Sequence, residues 1–419
     1  MPCGRAGAPR EGHLGRFFAP ACLVGAHKRI GARMLFMHSC LHAGGAQYFV
    51  LYGSCMVKKY FLCAFLALFY CMPVQPSASP LLKQAVSSFI AEQSQPLVTA
   101  LPTPPDLFQA LWPHGLPPLR ASDMGFGVPN NTHPSLFTVP RHASTVLHKL
   151  LASSNAAAGK PLPYGTIRRV ALPPGRKAVA LTFDLCELQC SVAGYEQGII
   201  SALLRYKAHA TFFMSGKWMR SHEERALQLM AARGFEVGNH AWTHANFAII
   251  NKQKADEQIE WTQAWYEHLR EKLGRMAEAA GYASMMDNVP YSMTLFRLPY
   301  GRCTPASLTW LQEHGLHVVQ WDVVAEGMHG ESVAQAMHAM LEQVRPGSII
   351  LFHANSVPEH SLELLLFLLD YLDKKGWECQ TVSELMAAGK PEYSPEGYFR
   401  TPGDNASIDG SFGQYGTGE

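Results

Sequence analysis

Charge of either sign is scarce. Lys and Arg number 35 and Asp and Glu 33 in 419 residues, so that 16% of the chain is charged and the formal net charge is +2. Without a basic excess the chain offers no electrostatic footprint for a phosphate backbone, and nucleic acid is not an expected partner. A membrane-spanning apolar run is missing near the start: Phe61 to Val74 falls short of the roughly 20 residues that a spanning helix needs. Met56, Val57, Lys58 and Lys59 precede that run and Gln75 to Ala78 follow it, the form of a secretory signal peptide over residues 56–79, with a retained membrane helix as the alternative. Membrane contact is therefore expected only through this segment, and the mature chain is expected in the periplasm, cell envelope or medium. No A-x-A cleavage site follows, and the bulky Tyr70 before Cys71 argues against lipid attachment. Residues 1–55 carry one acid, Glu11, against five arginines and Lys28, and show no sustained periodicity. They read as a non-native extension from a start codon placed too early, or else as an Arg-rich targeting peptide.

Cysteine is thin in the remainder. Six of the ten lie between Cys3 and Cys71, leaving Cys186, Cys190, Cys303 and Cys379 for an exported chain, whose compartment permits disulfides. Residues 80–165 are rich in Pro, Ser, Ala and Asn and read as a linker or loosely ordered arm, with one short helix from Leu81 to Gln93. Residues 391–419 hold too few aliphatic side chains to bury and are expected to be a disordered tail.

Between these lies a different pattern, from 166 to 390. Short β-like runs (AVALTFD, HATFFM, FEVGN, TLFRLPY, HVVQWDV, SIILFH, ECQTV) alternate with helical ones, among them Glu196 to Lys207, His222 to Arg233, Ala255 to Ala279, Pro305 to Glu313, Ser332 to Val344 and Leu362 to Lys375. This is the form of a parallel sheet wrapped by helices. Gly234, Gly315 and Gly376 each stand between a helix and a strand, where a left-handed cap is expected. Seven strands suggest a barrel, complete or incomplete, and an open doubly wound sheet is the alternative. No internal repeat is present.

Parallel α/β proteins gather reacting groups at the carboxyl ends of their strands. Polar groups fall at that end of successive runs here: Asp184, His240, Arg297 with Tyr300, Trp321 with Asp322, and His353. His240 and His244 form an H-x-x-x-H pair, whose spacing places two imidazoles on one side of a helical turn within reach of one cation. Singly each has a plainer reading: Asp184 as a loop cap, Arg297 as its structural partner, the histidines as surface or hydrogen-bonded core groups. Their joint placement favours chemistry.

In order, LTFDLCE (181–187), GNHAWTH (238–244), FRLPYG (296–301), QWD (320–322) and ILFH (350–353) resemble the five motifs of the polysaccharide deacetylases of the NodB-homology type. The resemblance covers about Lys177 to Leu385. It implies a deformed (β/α) barrel that removes acetyl groups from an N-acetylated glycan with a divalent metal, zinc, cobalt or nickel, and water. By motif position Asp184 would be the general base, His240 and His244 metal ligands, and Arg297 the group that fixes Asp184. The Tyr300 amide would bind an oxyanion, and His353 would protonate the leaving amine. Such a division is physically sound, because an amide is a poor electrophile and its amine must leave protonated.

Three departures stand out. Leu185 occupies the place of a usual metal-binding carboxylate, so Glu187 is the candidate substitute ligand, with an extra water or a weakly held metal as the alternatives. Ala241 replaces a usual hydroxyl residue between the histidines. Asp322 is followed by the apolar Val324 and Ala325, leaving Asp322, or Glu326 in its stead, to orient His353. Trp242 and Trp321, with Trp218, are candidate sugar platforms, and buried core aromatics are the alternative. Cys186 and Cys303 are candidates for a disulfide, with Cys190 as the competing partner for either and unpaired packing as the alternative. A cysteine-based metal site sits badly with a hard, oxygen-rich centre. Besides deacetylation, the sequence admits a silent glycan-binding barrel and an acetyl esterase or other amidase.

Overall fold

Strand β2 (Ala178–Leu185) is buried at every position, as a strand covered on both faces must be. Its alternate residues separate two cores. Val179, Leu181, Phe183 and Leu185 point outward to the helices, where Phe183 stacks between Phe212 and Phe352 at 5.3 and 5.4 Å. Ala178 and Ala180 point inward to Phe213, Leu295, Val319, Ile349 and Leu351. The parity places Thr182 and Asp184 on the inner side.

The computed structural model describes residues 106–125, 162–189, 191–327, 331–412 and 416. The signal segment and the expected helix from Leu81 to Gln93 lie outside them. The strands are β1 (Thr166–Ala171), β2, β3 (Ala210–Met214), β4 (Phe235–Asn239), β5 (Leu295–Phe296), β6 (His317–Val319), β7 (Val323–Val324), β8 (Ile349–His353), β9 (Glu378–Gln380) and β10 (Lys390–Ser394). They join in the order β10-β1-β6-β5-β4-β3-β2-β8-β7, with β9 beside β2. The sheet bends round on itself. The chain passes from β6, paired with β1 and β5, through only three residues to β7, paired with β8. Gln320 N donates to Ile167 O at 2.8 Å and Ala325 N to Leu351 O at 3.0 Å. The expected barrel is therefore the one found, and HVVQWDV is two short strands rather than one.

The helices are α1 (Leu107–Leu111), α2 (Gln197–Tyr206), α3 (Gly216–Ser221), α4 (Glu223–Ala231), α5 (Lys252–Ala279), α6 (Pro305–Glu313), α7 (Val333–Gln343), α8 (Ser361–Lys374) and α9 (Val382–Ala388). No helix among the described residues is long and apolar enough to cross a membrane. Gly234, Gly315 and Gly376 have φ of +81°, +70° and +66°, so each ends its helix in the left-handed turn expected of it.

Two expectations about the flanks need correction. Within the supposed loose arm, residues 106–125 dock on the barrel wall. Asp123 accepts from Arg225 Nε and Nη2 at 3.1 and 2.7 Å, both side chains being 2% exposed, and Arg225 also donates to the carbonyls of Pro117 and Pro118. Burial opposes the Asp123 charge, but the hydrogen bonds and charge of Arg225 outweigh it and hold the carboxyl below its ordinary 3.8. Asp123→Ala leaves a buried guanidinium without its counter-charge and is expected to cost about 3–5 kcal/mol, read as a lowered denaturation midpoint. In the parent that contribution is complete above pH 3.8 and is lost as pH falls through the depressed value.

The supposed disordered tail is also ordered where described. β10 pairs antiparallel with β1, and residues 395–412 fold across the barrel mouth. Polar and aromatic groups hold this segment in place of aliphatic ones. Asp404 accepts from the amides of Phe399, Arg400 and Thr401, and the Arg168 guanidinium lies 3.5 Å from the Tyr398 ring centre.

Candidate active site

Parallel register brings the first two groups together. β2 and β8 are neighbours in which Asp184 stands directly opposite His353. Both sit at the carboxyl ends of their strands, on the parity that faces inward. Asp184 Oδ1 accepts from Arg297 Nη1 at 2.8 Å, and its Oδ2 lies 3.3 Å from His240 Nε2. Arg297, fully buried, spends its other donors on the carbonyls of Val319 and Gln320. Burial works against the Asp184 charge, but Arg297, then His240 and His353, hold the carboxyl below its ordinary value. Asp184 is thus kept as a carboxylate in a dry setting.

His353 has the opposite bias. Burial favours its neutral form, yet Glu326 beside it, and after that Asp184, hold the imidazole above its ordinary 6.5. Glu326 Oε2 lies 3.2 Å from His353 Nδ1, and Oε1 accepts from His353 N at 2.6 Å and from the Ser361 hydroxyl at 2.8 Å. The side chain of His353 remains 25% exposed, so its far edge is reachable. Asp322 does not take this role. β7 pairs with β8 through Val323 opposite Ile350, so Asp322 meets the amino end of β8, accepting from Ile349 N at 2.9 Å and from the Ser348 hydroxyl at 3.0 Å. His353 is four residues farther, about 13 Å along the strand. Glu326, four residues beyond Asp322, reaches it instead. Burial raises the Asp322 carboxyl to about 6.

The histidine pair sits on a loop rather than a helical turn. Asn239 Oδ1 accepts from Ala241 N at 2.9 Å, and Gln258 of α5 accepts from the amides of Trp242 and Thr243 at 2.8 and 2.9 Å. Gln258 also donates to the Thr243 hydroxyl. Thus braced, Ala241 and His244 adopt φ of +62° and +57°, conformations that cost a non-glycine residue about 1–3 kcal/mol. The two rings lie 4.8 Å apart, centre to centre. His240 Nδ1 donates to Arg297 O at 2.9 Å, which leaves Nε2 as the lone-pair nitrogen facing the site. His240 Nε2 and His244 Nδ1 are buried with no hydrogen-bond partner, a costly state that a bound cation would relieve. Burial pulls both imidazoles below their ordinary 6.5, the neutral form a ligand requires.

Glu187 does not join them. Its carboxylate accepts from Ala193 N at 3.1 Å and the Ser221 hydroxyl at 2.7 Å, and it is 1% exposed. The odd parity of β2 carries Leu185 outward, and Glu187, in the loop past the strand, turns to Ser221. Cys186 turns inward after Asp184, and one ligand atom each from Cys186, His240 and His244 lies within 4.8 Å of the others. Cys186 and Cys303 are both free thiols, so the candidate disulfide is absent. Cys186 lies against Asn355, while Cys303 packs under the backbone of Gly397. Cys190 lies outside the described residues.

Tyr300 has φ +58°, and its ring lies 4.3 Å from that of His244 and 4.7 Å from that of Phe412. Asn405 donates to Tyr300 O at 2.7 Å. The tryptophans are not sugar platforms. Trp242, 4% exposed, covers Gly216, where no Cβ would fit, and Trp321, 3% exposed, donates to Phe399 O at 2.8 Å. Trp218 is fully buried and donates to Gly194 O. A surface hollow of about 660 Å³ bordered by Arg176, Tyr206, His209 and Glu378 lies at the amino ends of the strands and holds none of these groups.

Residues 171–289 match the family described as polysaccharide deacetylase. A peptidoglycan-N-acetylmuramic acid deacetylase of Bacillus subtilis is 27% identical over 212 residues, which are 51% of this chain and 39% of that protein. A peptidoglycan-N-acetylglucosamine deacetylase of Bacillus cereus is 27% identical over 240 residues, 55% of this chain and 78% of that protein. A chitooligosaccharide deacetylase of Sinorhizobium fredii is 26% identical over 185 residues, 44% of this chain and 75% of that one. Among solved structures, a peptidoglycan N-acetylglucosamine deacetylase is similar at 25% identity and a TM-score of 0.43, over 55% of this chain and 96% of that one. A carbohydrate esterase family 4 pseudoenzyme from Bacillus anthracis is similar at 22% identity and a TM-score of 0.41, over 54% and 70%. The chain thus spans about two fifths of the first of these relatives, and its match to the polysaccharide deacetylase family covers residues 171–289 of the barrel.

Proposed function

We propose that this chain is an exported hydrolase that removes acetyl groups from an N-acetylated glycan of the peptidoglycan, chitin-like or poly-N-acetylglucosamine kind. One observation carries the reading: Asp184, a carboxylate held below its ordinary range, stands in register opposite His353, an imidazole that Glu326 and Asp184 bias toward its protonated form. Simple glycan binding has no need of that pair, whereas amide hydrolysis needs a base for water and an acid for the departing nitrogen. The relatives' names, two for peptidoglycan and one for chitooligosaccharides, supply the substrate class.

The residues divide the work as follows. Asp184 accepts the proton of the attacking water, and Arg297 keeps its carboxylate fixed and charged. Tyr300 offers its backbone amide toward the developing oxyanion, from a loop braced by Asn405 and Phe412. His353 passes its proton to the amine as the carbon–nitrogen bond breaks, and Glu326 restores and orients it. His240 and His244 would hold a divalent cation, which when bound polarises the acetyl carbonyl and acidifies water.

The test is acetate release from peptidoglycan, chitin oligomers and poly-N-acetylglucosamine, with added zinc, cobalt or nickel and again with chelator. Metal-dependent acetate from at least one polymer is expected. Glycan binding with no acetate under any metal would instead identify a silent binding barrel.

A further inference from the structure

We propose that Cys186 is the third metal ligand of this site, a thiolate that joins His240 and His244 and replaces the carboxylate lost at Leu185; the inference rests on the metal-assisted reading above. Leu185 is fully buried in the outer core and cannot turn to the mouth. Cys186 is the first residue past β2, and its sulfur lies beside the two histidine nitrogens, so the next donor after the base to reach the site is sulfur. Two buried nitrogens point to a cation: His240 Nε2, which has only the Asp184 carboxylate at 3.3 Å, and His244 Nδ1 each lack a hydrogen-bond partner. The Cys186 sulfur completes a triangle with one nitrogen of each ring, no side exceeding 4.8 Å.

Burial and the nearby Asp184 carboxylate push the Cys186 thiol well above its ordinary 9, so the thiolate forms only with a cation beside it. Asn355 Nδ2 donates to Cys186 Sγ at 3.4 Å and to Cys186 O at 3.1 Å, so the sulfur already acts as an acceptor with its lone pairs turned to polar neighbours. On metal binding Sγ gives its proton to solvent and forms one bond to the ion, with no change of oxidation state. Three protein ligands leave the fourth position of a tetrahedral ion for water or substrate, the arrangement of catalytic zinc sites, some of which are built from cysteine and histidine. A thiolate with two imidazoles selects zinc or cobalt over magnesium, calcium or manganese.

Cobalt(II) added to the purified full chain reads the ligand set directly. A thiolate-to-cobalt charge-transfer absorption in the near ultraviolet is expected at one equivalent. It should vanish in Cys186→Ser and Cys186→Asp, with cobalt affinity falling about 10–100-fold or more in Cys186→Ser, since loss of even an outer-shell partner costs that much. Cys186→Asp should hold the ion without the sulfur band, and circular dichroism of each variant reports whether it folds. Stoichiometric cobalt that depends on His240 but shows no sulfur band overturns the thiolate and leaves the deacetylase reading intact. No bound cobalt overturns it as well. A sulfur band in a chain that releases no acetate from any polymer upholds the ligand and sinks the deacetylase reading.

Discussion

Asp184→Asn is expected to lower kcat/KM about 10²–10⁴-fold, the usual worth of a positioned acid or base, and to destabilise the fold as well. The two effects have one cause. Arg297 is fully buried, and Asp184 is the carboxylate its guanidinium meets at 2.8 Å. An asparagine amide matches the carboxylate in shape but leaves the guanidinium charge uncompensated, a loss of about 3–5 kcal/mol for a broken buried pair. Acetate release and a denaturant midpoint, measured on the same preparation, check both. The pH dependence of stability follows from the depressed Asp184 carboxyl: its contribution is complete above the ordinary 3.8 and disappears as pH falls through the lowered value. Near-parental turnover in Asp184→Asn would remove the residue from the mechanism.

His353→Gln is expected to reduce kcat about 10²–10⁴-fold with little change in KM, because the lost proton donor acts in the transition state rather than in binding. Glu326→Gln should be milder and differently shaped. Glu326 is the leading influence that raises the imidazole, so its neutral replacement moves the alkaline limb of the kcat/KM profile to lower pH. The sign for stability agrees: the His353–Glu326 attraction is present in full below the ordinary 6.5 and is lost as pH rises through the raised value. An unshifted alkaline limb in Glu326→Gln would assign the acid to another group. Asp322→Asn, about 13 Å down the strand, should leave that limb in place.

Most of the barrel could be read in the sequence because its strands announce themselves. β2, β3 and β8 are mainly apolar runs of the kind that a doubly covered sheet accepts, and the left-handed glycines punctuate the helices between them. The site groups at strand ends were legible for the same reason, since Asp184, His240, Arg297 and His353 each interrupt an apolar run. What escaped was register and direction. Asp322 and Glu326 are equally plausible partners for His353 on paper, and only the pairing of Val323 with Ile350 decides between them. Glu187 and Cys186 differ by one residue just past the end of β2, and the path of that loop sends one to Ser221 and the other to the histidines. Gln258 lies on a helix 14 residues past His244, and nothing local marks it as the brace of that loop. The carboxyl-terminal segment was hidden because composition rules look for aliphatic burial, whereas this one is held by carboxylates, guanidinium groups and rings.

That last segment has a consequence for how the protein comes into being. Arg302 donates to Asp409, Asp409 accepts from Asn246 as well, and Asn246 N donates to the carbonyl of Gly416, so the two motif loops are stitched to each other by residues at the far end of the chain. A polypeptide made amino end first lays down every barrel strand before those stitches exist. Molecules cut just before Asp409 would keep all ten strands and lack a finished mouth, so competence waits on the synthesis of Asp409 and Gly416.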